Sequence, residues 1–150
     1  MQRSITNQKP LTLLFYTALF VVYIGLSSIY LFLPPMLGVL FVIFSKVSKK
    51  EDSLGIFLIS FCLLVFESEK GYTLFTSIIY FIILYKFVIP KLQQNFSCAS
   101  CIKFLSIVLV YVGFYLFCLL LANIFLLPLP NITYYIIYYI IIEFLIVSIL

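Results

Sequence analysis

A chain of 150 residues with 65% apolar and only 9% charged residues does not have the composition of a soluble globular domain, in which about a quarter of residues are charged. Its mean hydropathy of +1.28 predicts an integral membrane protein instead. Histidine is absent, which removes the usual general base and the commonest metal ligand from any mechanism. The net charge of +4 is carried by short segments between apolar runs, which indicates membrane orientation and no nucleic-acid partner.

The first apolar run extends from Leu11 to Phe44 and is too long for a single span of about 20 residues. No small-residue cleavage site follows its beginning, so we expect an uncleaved first helix rather than a signal peptide. Pro34 and Pro35 do not fit a helix interior. The run therefore predicts two helices, near residues 11–26 and 30–44, with a turn between them.

A third, shorter apolar run follows the charged segment 45–53 and covers residues 54–66. At about 1.5 Å per residue it spans only about 20 Å, less than the hydrocarbon core of about 30 Å. It predicts either a thin span or half of a re-entrant pair. The next residues, 67–71, predict a turn in which Gly71 supplies an unusual backbone conformation and Glu67 and Glu69 are solvated.

Three further helices are predicted in the rest of the chain. One lies near residues 72–89 and stops at Pro90, a second lies near 104–126, and a third lies near 132–150 after a turn with Pro128 and Pro130. The sequence thus predicts one all-α domain, a polytopic membrane bundle of about six helices.

The basic residues favour one orientation of such a bundle. With six spans, Lys70 alone lies on one side, and the other Lys and Arg residues lie on the side of both termini. Because cytoplasmic loops carry the Lys and Arg excess, both termini and the loop before the fifth helix are predicted to be cytoplasmic.

Cys98 and Cys101 form a CxxC pair, the spacing of a thiol redox pair or of half a zinc site. A structural zinc site needs four ligands, and the remaining cysteines, Cys62 and Cys118, lie inside predicted spans. A pair that oxidises secreted proteins would face the oxidising side, whereas this loop is predicted to be cytoplasmic. Two free thiols are therefore expected, and a redox pair is the alternative.

Glu143 is the one carboxylate inside a predicted span, and a carboxylate at that depth is costly enough to be a functional candidate. No second acid or base in the other spans could form a proton relay with it. We expect a hydrogen-bonded carboxyl that fixes helix packing or meets a partner chain, and Asn123 is a weaker candidate of the same kind. The sequence contains no phosphate loop, no paired catalytic carboxylates and no nucleophile with a base, so no enzyme, cofactor or metal site is predicted.

Two stretches resemble the bacterial rod-shape-determining protein MreD family. Residues 33–40, LPPMLGVL, are similar to the proline-bearing entry of that family's second span, and residues 71–80, GYTLFTSIIY, to the glycine that opens its next long helix. The order of spans extends the resemblance over essentially the whole chain. Family members often carry an Asp and a Ser/Gly-rich turn before that glycine, where this chain has Glu67 and Glu69 within residues 63–70.

The resemblance implies a non-enzymatic scaffold of the cell-elongation machinery in the inner membrane, with an MreC-like protein and the wall-synthesis complex as partners. The family's fold is similar to the substrate-binding components of energy-coupling-factor vitamin transporters. Binding of a small solute is therefore the alternative function. Those components usually dock through Ala-x-x-x-Ala patches, and this chain has only Ala18, Ala99 and Ala122.

Overall fold

The computed structural model describes residues 8–128 and 134–149, which form six helices and no strand. The helices are α1 (Gln8–Ile29), α2 (Leu37–Lys49), α3 (Ser53–Lys70), α4 (Thr76–Asn95), α5 (Ala99–Phe125) and α6 (Tyr135–Ile149). The predicted Pro130 turn and the predicted start of the sixth helix lie outside the described residues.

Successive helices run in alternating directions, so that the bundle has two distinct ends. At one end the Lys103 ammonium near the start of α5 lies 3.5 Å from the Val147 carbonyl near the end of α6. At the other end the Lys70 ammonium lies 3.5 Å from the Ser27 carbonyl, which joins the ends of α3 and α1. We call the end with Lys103 the basic end and the end with Lys70 the far end. The basic end also carries four other lysines: Lys46, Lys49, Lys50 and Lys91.

Three of the described helices are long and apolar enough to cross a membrane: Pro10–Ile29, Thr76–Asn95 and Ala99–Phe125. Tyr135–Ile149 is apolar but shorter. α2 has only 13 residues, about 20 Å of helix, and α3 carries three charged residues in its last turn. Those two helices therefore do not meet the criteria of length and composition for a membrane span.

Two predicted helix boundaries, the start of α2 and the end of α3, are wrong. α2 begins at Leu37 and not near residue 30, because Pro34 and Pro35 keep the chain out of helix and Met36 takes a left-handed conformation with φ 55°. α3 does not end at residue 66 but continues through Glu67 to Lys70. Gly71 then ends it with φ 71°, a conformation that glycine adopts without steric cost.

The prediction that a helix stops at Pro90 is also wrong, since α4 continues to Asn95. A π-helical turn at Leu84–Val88 explains the difference. The N–H of Ile89 donates to the Leu84 carbonyl, five residues back, and Pro90 begins the helical segment that follows. Proline tolerates that position because the first residues of a helical segment need no intrahelical donor.

A second π-helical turn, Leu109–Gly113, lies in the middle of α5. The Tyr80 hydroxyl of α4 donates a hydrogen bond to the Leu109 carbonyl of this turn at 2.6 Å. A Cβ atom at Gly113 would collide with that same hydroxyl. The missing side chain of Gly113 is therefore what allows α4 and α5 to approach and to form this bond.

Aromatic and aliphatic side chains between the helices form the core. Phe41 of α2 meets Phe81 of α4 edge to face, with ring centroids 5.2 Å apart, and Phe44 packs on the same ring at 6.0 Å. Tyr72 meets Phe114 of α5 edge to face at 5.4 Å. The first two contacts join α2 to α4, and the third joins the α3–α4 turn to α5, whose Phe114 also packs on Tyr80 of α4 at 5.8 Å.

Candidate functional site

Glu143 lies on α6 with its side chain fully buried, and it connects three helices. Its carboxylate accepts a hydrogen bond from the backbone N–H of Gly38 at 2.6 Å and another from the Tyr111 hydroxyl of α5. Gly38 is the second residue of α2, whose first N–H groups have no partner within the helix. A buried carboxylate from the last helix thus caps the beginning of α2, where the helix dipole favours negative charge.

The approach of Glu143 to α2 depends on the absence of a side chain at Gly38. A Cβ atom there would lie 2.5 Å from a Glu143 carboxylate oxygen and 3.2 Å from Ile107. Both distances are shorter than an ordinary van der Waals contact, so a glycine is needed for the cap to form.

Glu67 makes an equivalent cap on the other long turn, and the prediction that it is solvated is wrong. It is fully buried and accepts hydrogen bonds from the backbone N–H of Phe75 at 2.7 Å and of Ser77 at 2.5 Å. The Ser77 hydroxyl donates to it at 2.6 Å. Because α3 continues past residue 66, the turn at Gly71 brings the start of α4 back onto this carboxylate, whereas Glu69 is exposed as predicted.

A sequence signal for Glu67 exists, but it depends on the length of α3. Ile59, Leu63 and Glu67 follow one another at intervals of four, and all three are buried. With the helix ended at residue 66, Glu67 falls in a polar turn. With the helix extended, it falls on the buried stripe.

A cavity of about 290 Å³ lies at the far end, close to both capped turns. Its walls come from the α1–α2 turn, the end of α3, the middle of α5 and the start of α6. The lining residues are Leu31, Leu33, Pro35, Leu37, Phe66, Lys70, Tyr72, Tyr111, Phe114, Tyr115, Ile136 and Tyr139.

Lys70 is the only charged side chain in this lining. Partial burial lowers the pKa of its amino group from the usual range, and the nearby Glu69 carboxylate acts in the opposite direction. Four tyrosines and two phenylalanines surround the remaining space. An ammonium beside aromatic rings and hydroxyls can hold a small molecule that has an anionic group and an apolar body.

Pro35 lines the cavity, and Pro34 lies next to it in the α1–α2 turn. The carbonyl of buried Pro34 accepts a hydrogen bond from the Tyr23 hydroxyl of α1 at 2.8 Å. The Tyr139 hydroxyl of α6 donates to the Leu31 carbonyl in the same turn. Gly71, in contrast, is exposed, and a Cβ atom there would meet nothing within 4 Å, so its role is its backbone conformation.

Cys98 and Cys101 lie at the basic end, and both are exposed free thiols. The loop before α5 is shorter than predicted, because α5 begins at Ala99 and contains Cys101 in its first turn. The backbone N–H of Cys101 is the main cause that lowers the pKa of the Cys98 thiol, with smaller contributions from the Cys101 thiol and the Ser100 N–H. The described residues contain no group of three or more Cys, Asp or Glu side chains that could hold a metal ion.

Asn123, the weaker candidate inside a predicted span, is exposed on α5. Its amide makes no hydrogen bond to another residue within 8–128 or 134–149. The structure therefore brings Glu143, Pro34 and Pro35 to the far end and leaves Asn123 and the cysteine pair outside that cluster.

A scan against models of known protein families, a search of curated proteins and a search of solved structures each find no significant match to this chain.

Proposed function

We propose that the protein is a polytopic membrane protein of the bacterial inner membrane, with about six spans and both termini in the cytoplasm. Three described helices meet the length and composition of a span, and a fourth is apolar and nearly as long. The alternating helix directions place Lys46, Lys49, Lys50, Lys91 and Lys103 at one end, whereas Lys70 lies at the other. A lysine-rich end is the one expected to face the cytoplasm.

In this membrane the protein acts as a non-enzymatic scaffold that binds partner membrane proteins and takes part in the control of cell shape. The observation that supports this most is α1, which packs principally on α3 and exposes apolar side chains along its length. Val22 is 62% exposed and Leu19 is 52% exposed, whereas Ile24, which faces the bundle, is buried. A helix held by one neighbour leaves a long apolar face for a partner helix.

The interior of the protein fits a scaffold as well. Both buried carboxylates cap helices: Glu143 caps the start of α2, and Glu67 caps the start of α4. Buried polar groups that stabilise the bundle in this way give a rigid framework for docking. The resemblance to the MreD family suggests an MreC-like protein as the partner.

Site-specific crosslinking in living cells tests this function. A photoreactive residue at Val22 should give a crosslinked product with an MreC-like protein, while the same residue at buried Ile24 should not. Depletion of the protein should make rod-shaped or curved cells round or swollen. Normal cell shape together with no crosslinked or copurified MreC-like partner would contradict the proposal.

Binding of a small solute of the vitamin type is the second candidate function, and the far-end cavity favours it. Its volume of about 290 Å³ is near the lower limit of small-molecule sites, and Lys70 supplies a positive charge. Vitamins that carry a carboxylate should raise the thermal unfolding midpoint of the purified chain. Lys70→Gln should remove that shift and Lys50→Gln should keep it, whereas no shift with any vitamin would count against this function.

A thiol oxidoreductase is the further alternative, supported by the adjacent exposed thiols and by the lowered pKa of Cys98. A redox function requires that the double variant C98S/C101S be inactive in the cell. Full activity of that variant would leave the two cysteines as free thiols.

A further inference from the structure

A second cavity, of about 140 Å³, lies at the basic end between α2, α4 and α5. It is separate from the far-end cavity, with which it shares no lining residue. Three lysines from two helices line it: Lys46 and Lys49 of α2, and Lys103 of α5. No acidic side chain lines it.

The three ammonium groups are available to a ligand. Lys46 and Lys49 have no hydrogen-bond or ion-pair partner among the described residues, and Lys103 has only the Val147 carbonyl at 3.5 Å. All three side chains are exposed. The acidic residues of the same end, Glu51 and Asp52, are in the α2–α3 turn and outside this cavity. Three ammonium groups around one cavity, with no carboxylate among its lining residues, favour an anion between them.

The inner wall of the same cavity is apolar. Phe41 and Ile89 are buried side chains of the core, and Ile102 is half-buried beside them. The hydroxyls of Ser45 and Ser106 donate to carbonyls of their own helices, so they present only acceptor lone pairs to the cavity. The cavity thus has a strongly cationic rim above an apolar wall.

This combination favours one class of ligand. A volume of about 140 Å³ is too small for a whole drug-sized molecule, whose sites begin at about 300 Å³, but it admits a phosphate group and the first atoms attached to it. Ile43 and Phe104, which follow the lining residues Val42 and Lys103 in the sequence, are exposed apolar side chains that the proposed membrane would cover with acyl chains. Basic pockets between helices on the cytoplasmic side of a membrane bind the headgroups of acidic lipids.

We propose that the basic-end cavity binds the phosphate-bearing headgroup of an anionic phospholipid, with Lys46, Lys49 and Lys103 around the phosphate and the acyl chains outside the cavity, on the exposed apolar side chains of α2 and α5. This inference rests on the proposed membrane location and orientation. It does not depend on whether the protein acts as a scaffold or as a solute binder.

Native mass spectrometry of the full-length chain tests the site. The chain is released from detergent that contains equal amounts of phosphatidylglycerol and phosphatidylcholine, and the copies of each lipid that remain bound are counted. The wild-type chain should retain phosphatidylglycerol in preference. In the variant K46Q/K49Q/K103Q the ratio of bound phosphatidylglycerol to phosphatidylcholine should be about tenfold to 100-fold lower, since each lysine near a membrane surface contributes to anionic lipid binding.

The matched control removes three lysines that do not line the cavity, in the variant K50Q/K86Q/K91Q. Both triple variants change the formal net charge from +4 to +1 (4 − 3 = 1). The control should keep the preference for phosphatidylglycerol. An equal loss in both variants would show diffuse attraction to the basic end and would overturn the site.

Two further arms separate the remaining explanations. Inorganic phosphate that binds while phosphatidylglycerol shows no preference over phosphatidylcholine would overturn a lipid site in favour of a free-phosphate site. The variant K46R/K49R/K103R keeps the charges and should keep the preference. It shows whether substitution at these three positions, rather than loss of their charge, unfolds the glutamine variant.

The membrane location is checked separately, by extraction of cell membranes with alkaline carbonate. A chain that is released by carbonate contradicts the proposed membrane protein. A chain that stays in the membrane but shows no preference for the anionic lipid contradicts only the lipid site.

Discussion

At the scale of single residues, the buried carboxylates show what a sequence does and does not reveal. Glu143 is surrounded by apolar residues in the sequence, so its position inside the bundle could be predicted from composition alone. Glu67 is followed by Ser68, Glu69 and Lys70. This polar context predicted a solvated side chain, whereas Glu67 is fully buried. The partners of both, backbone N–H groups at helix starts, depend on tertiary contacts that no local pattern encodes.

Substitution of Glu143 measures the energy of its cap. Glu143→Leu leaves the Gly38 N–H and the Tyr111 hydroxyl buried without an acceptor, and we expect a loss of about 2–5 kcal/mol in unfolding free energy. Glu143→Gln keeps one acceptor oxygen and should lose less. Denaturant unfolding of the purified chain gives both values, with exposed Glu69→Leu as the control. Stability of Glu143→Leu equal to that of the control would contradict the cap.

Two glycines in similar apolar surroundings should respond oppositely to alanine. Gly38→Ala places a Cβ atom 2.5 Å from the Glu143 carboxylate, and we expect it to destabilise the protein by about 1–3 kcal/mol. Gly25 of α1 has nothing within 4 Å of a Cβ atom, so Gly25→Ala should be neutral or slightly stabilising. Thermal midpoints of the two variants test this, and a larger loss at Gly25 than at Gly38 would be inconsistent with the contact described.

At the scale of helices, the sequence predicted the number and order of the elements better than their ends. Apolar runs and charged segments locate six helices, because each change of composition is a local signal. Pro90 predicted a helix end, yet the π-helical turn before it lets α4 continue to Asn95. The residues of that turn, Leu84–Val88, are as apolar as the helix around them, so no change of composition marks it.

The contact between α4 and α5 at the second π-helical turn can be tested as a pair. Tyr80→Phe removes the donor to the Leu109 carbonyl and should cost about 1 kcal/mol. Gly113→Ala should cost more, because its new Cβ atom collides with the Tyr80 hydroxyl. The double variant lacks that hydroxyl, so its loss should be smaller than the sum of the two single losses. Additive losses of unfolding free energy, measured by denaturant unfolding, would show that the two residues do not interact.

At the scale of the whole molecule, the two ends of the bundle differ in their charge and in their content of aromatic rings. The basic end carries a lysine-lined cavity and two exposed thiols, whereas the far end carries tyrosines, prolines and one lysine around a larger cavity. The separation of charge follows from the alternating helices and could be predicted from the order of lysines. The cavities could not, since they depend on how the turns fold over the helix ends.

Cysteine labelling determines which end faces the cytoplasm. In the Cys101→Ser chain, a membrane-impermeant maleimide should label Cys98 in inside-out vesicles and not in right-side-out vesicles, because Cys98 is exposed at the basic end. A cysteine introduced by Glu69→Cys at the exposed far end, in the C98S/C101S chain, should show the reverse. Cys62 and Cys118 are buried and should react slowly from either side. Labelling of both ends from the same side would contradict a bundle that spans the membrane.

The two carboxylate caps also set different requirements on the order in which the chain can be assembled during synthesis. Glu67 reaches partners only 8 and 10 residues ahead of it, so the α3–α4 hairpin can close as soon as it leaves the ribosome. Gly38 is 105 residues before Glu143, and the start of α2 therefore lacks this acceptor until α6 is made. We expect the contact between α2 and α6 to form later than the α3–α4 hairpin, because a longer loop costs more entropy to close.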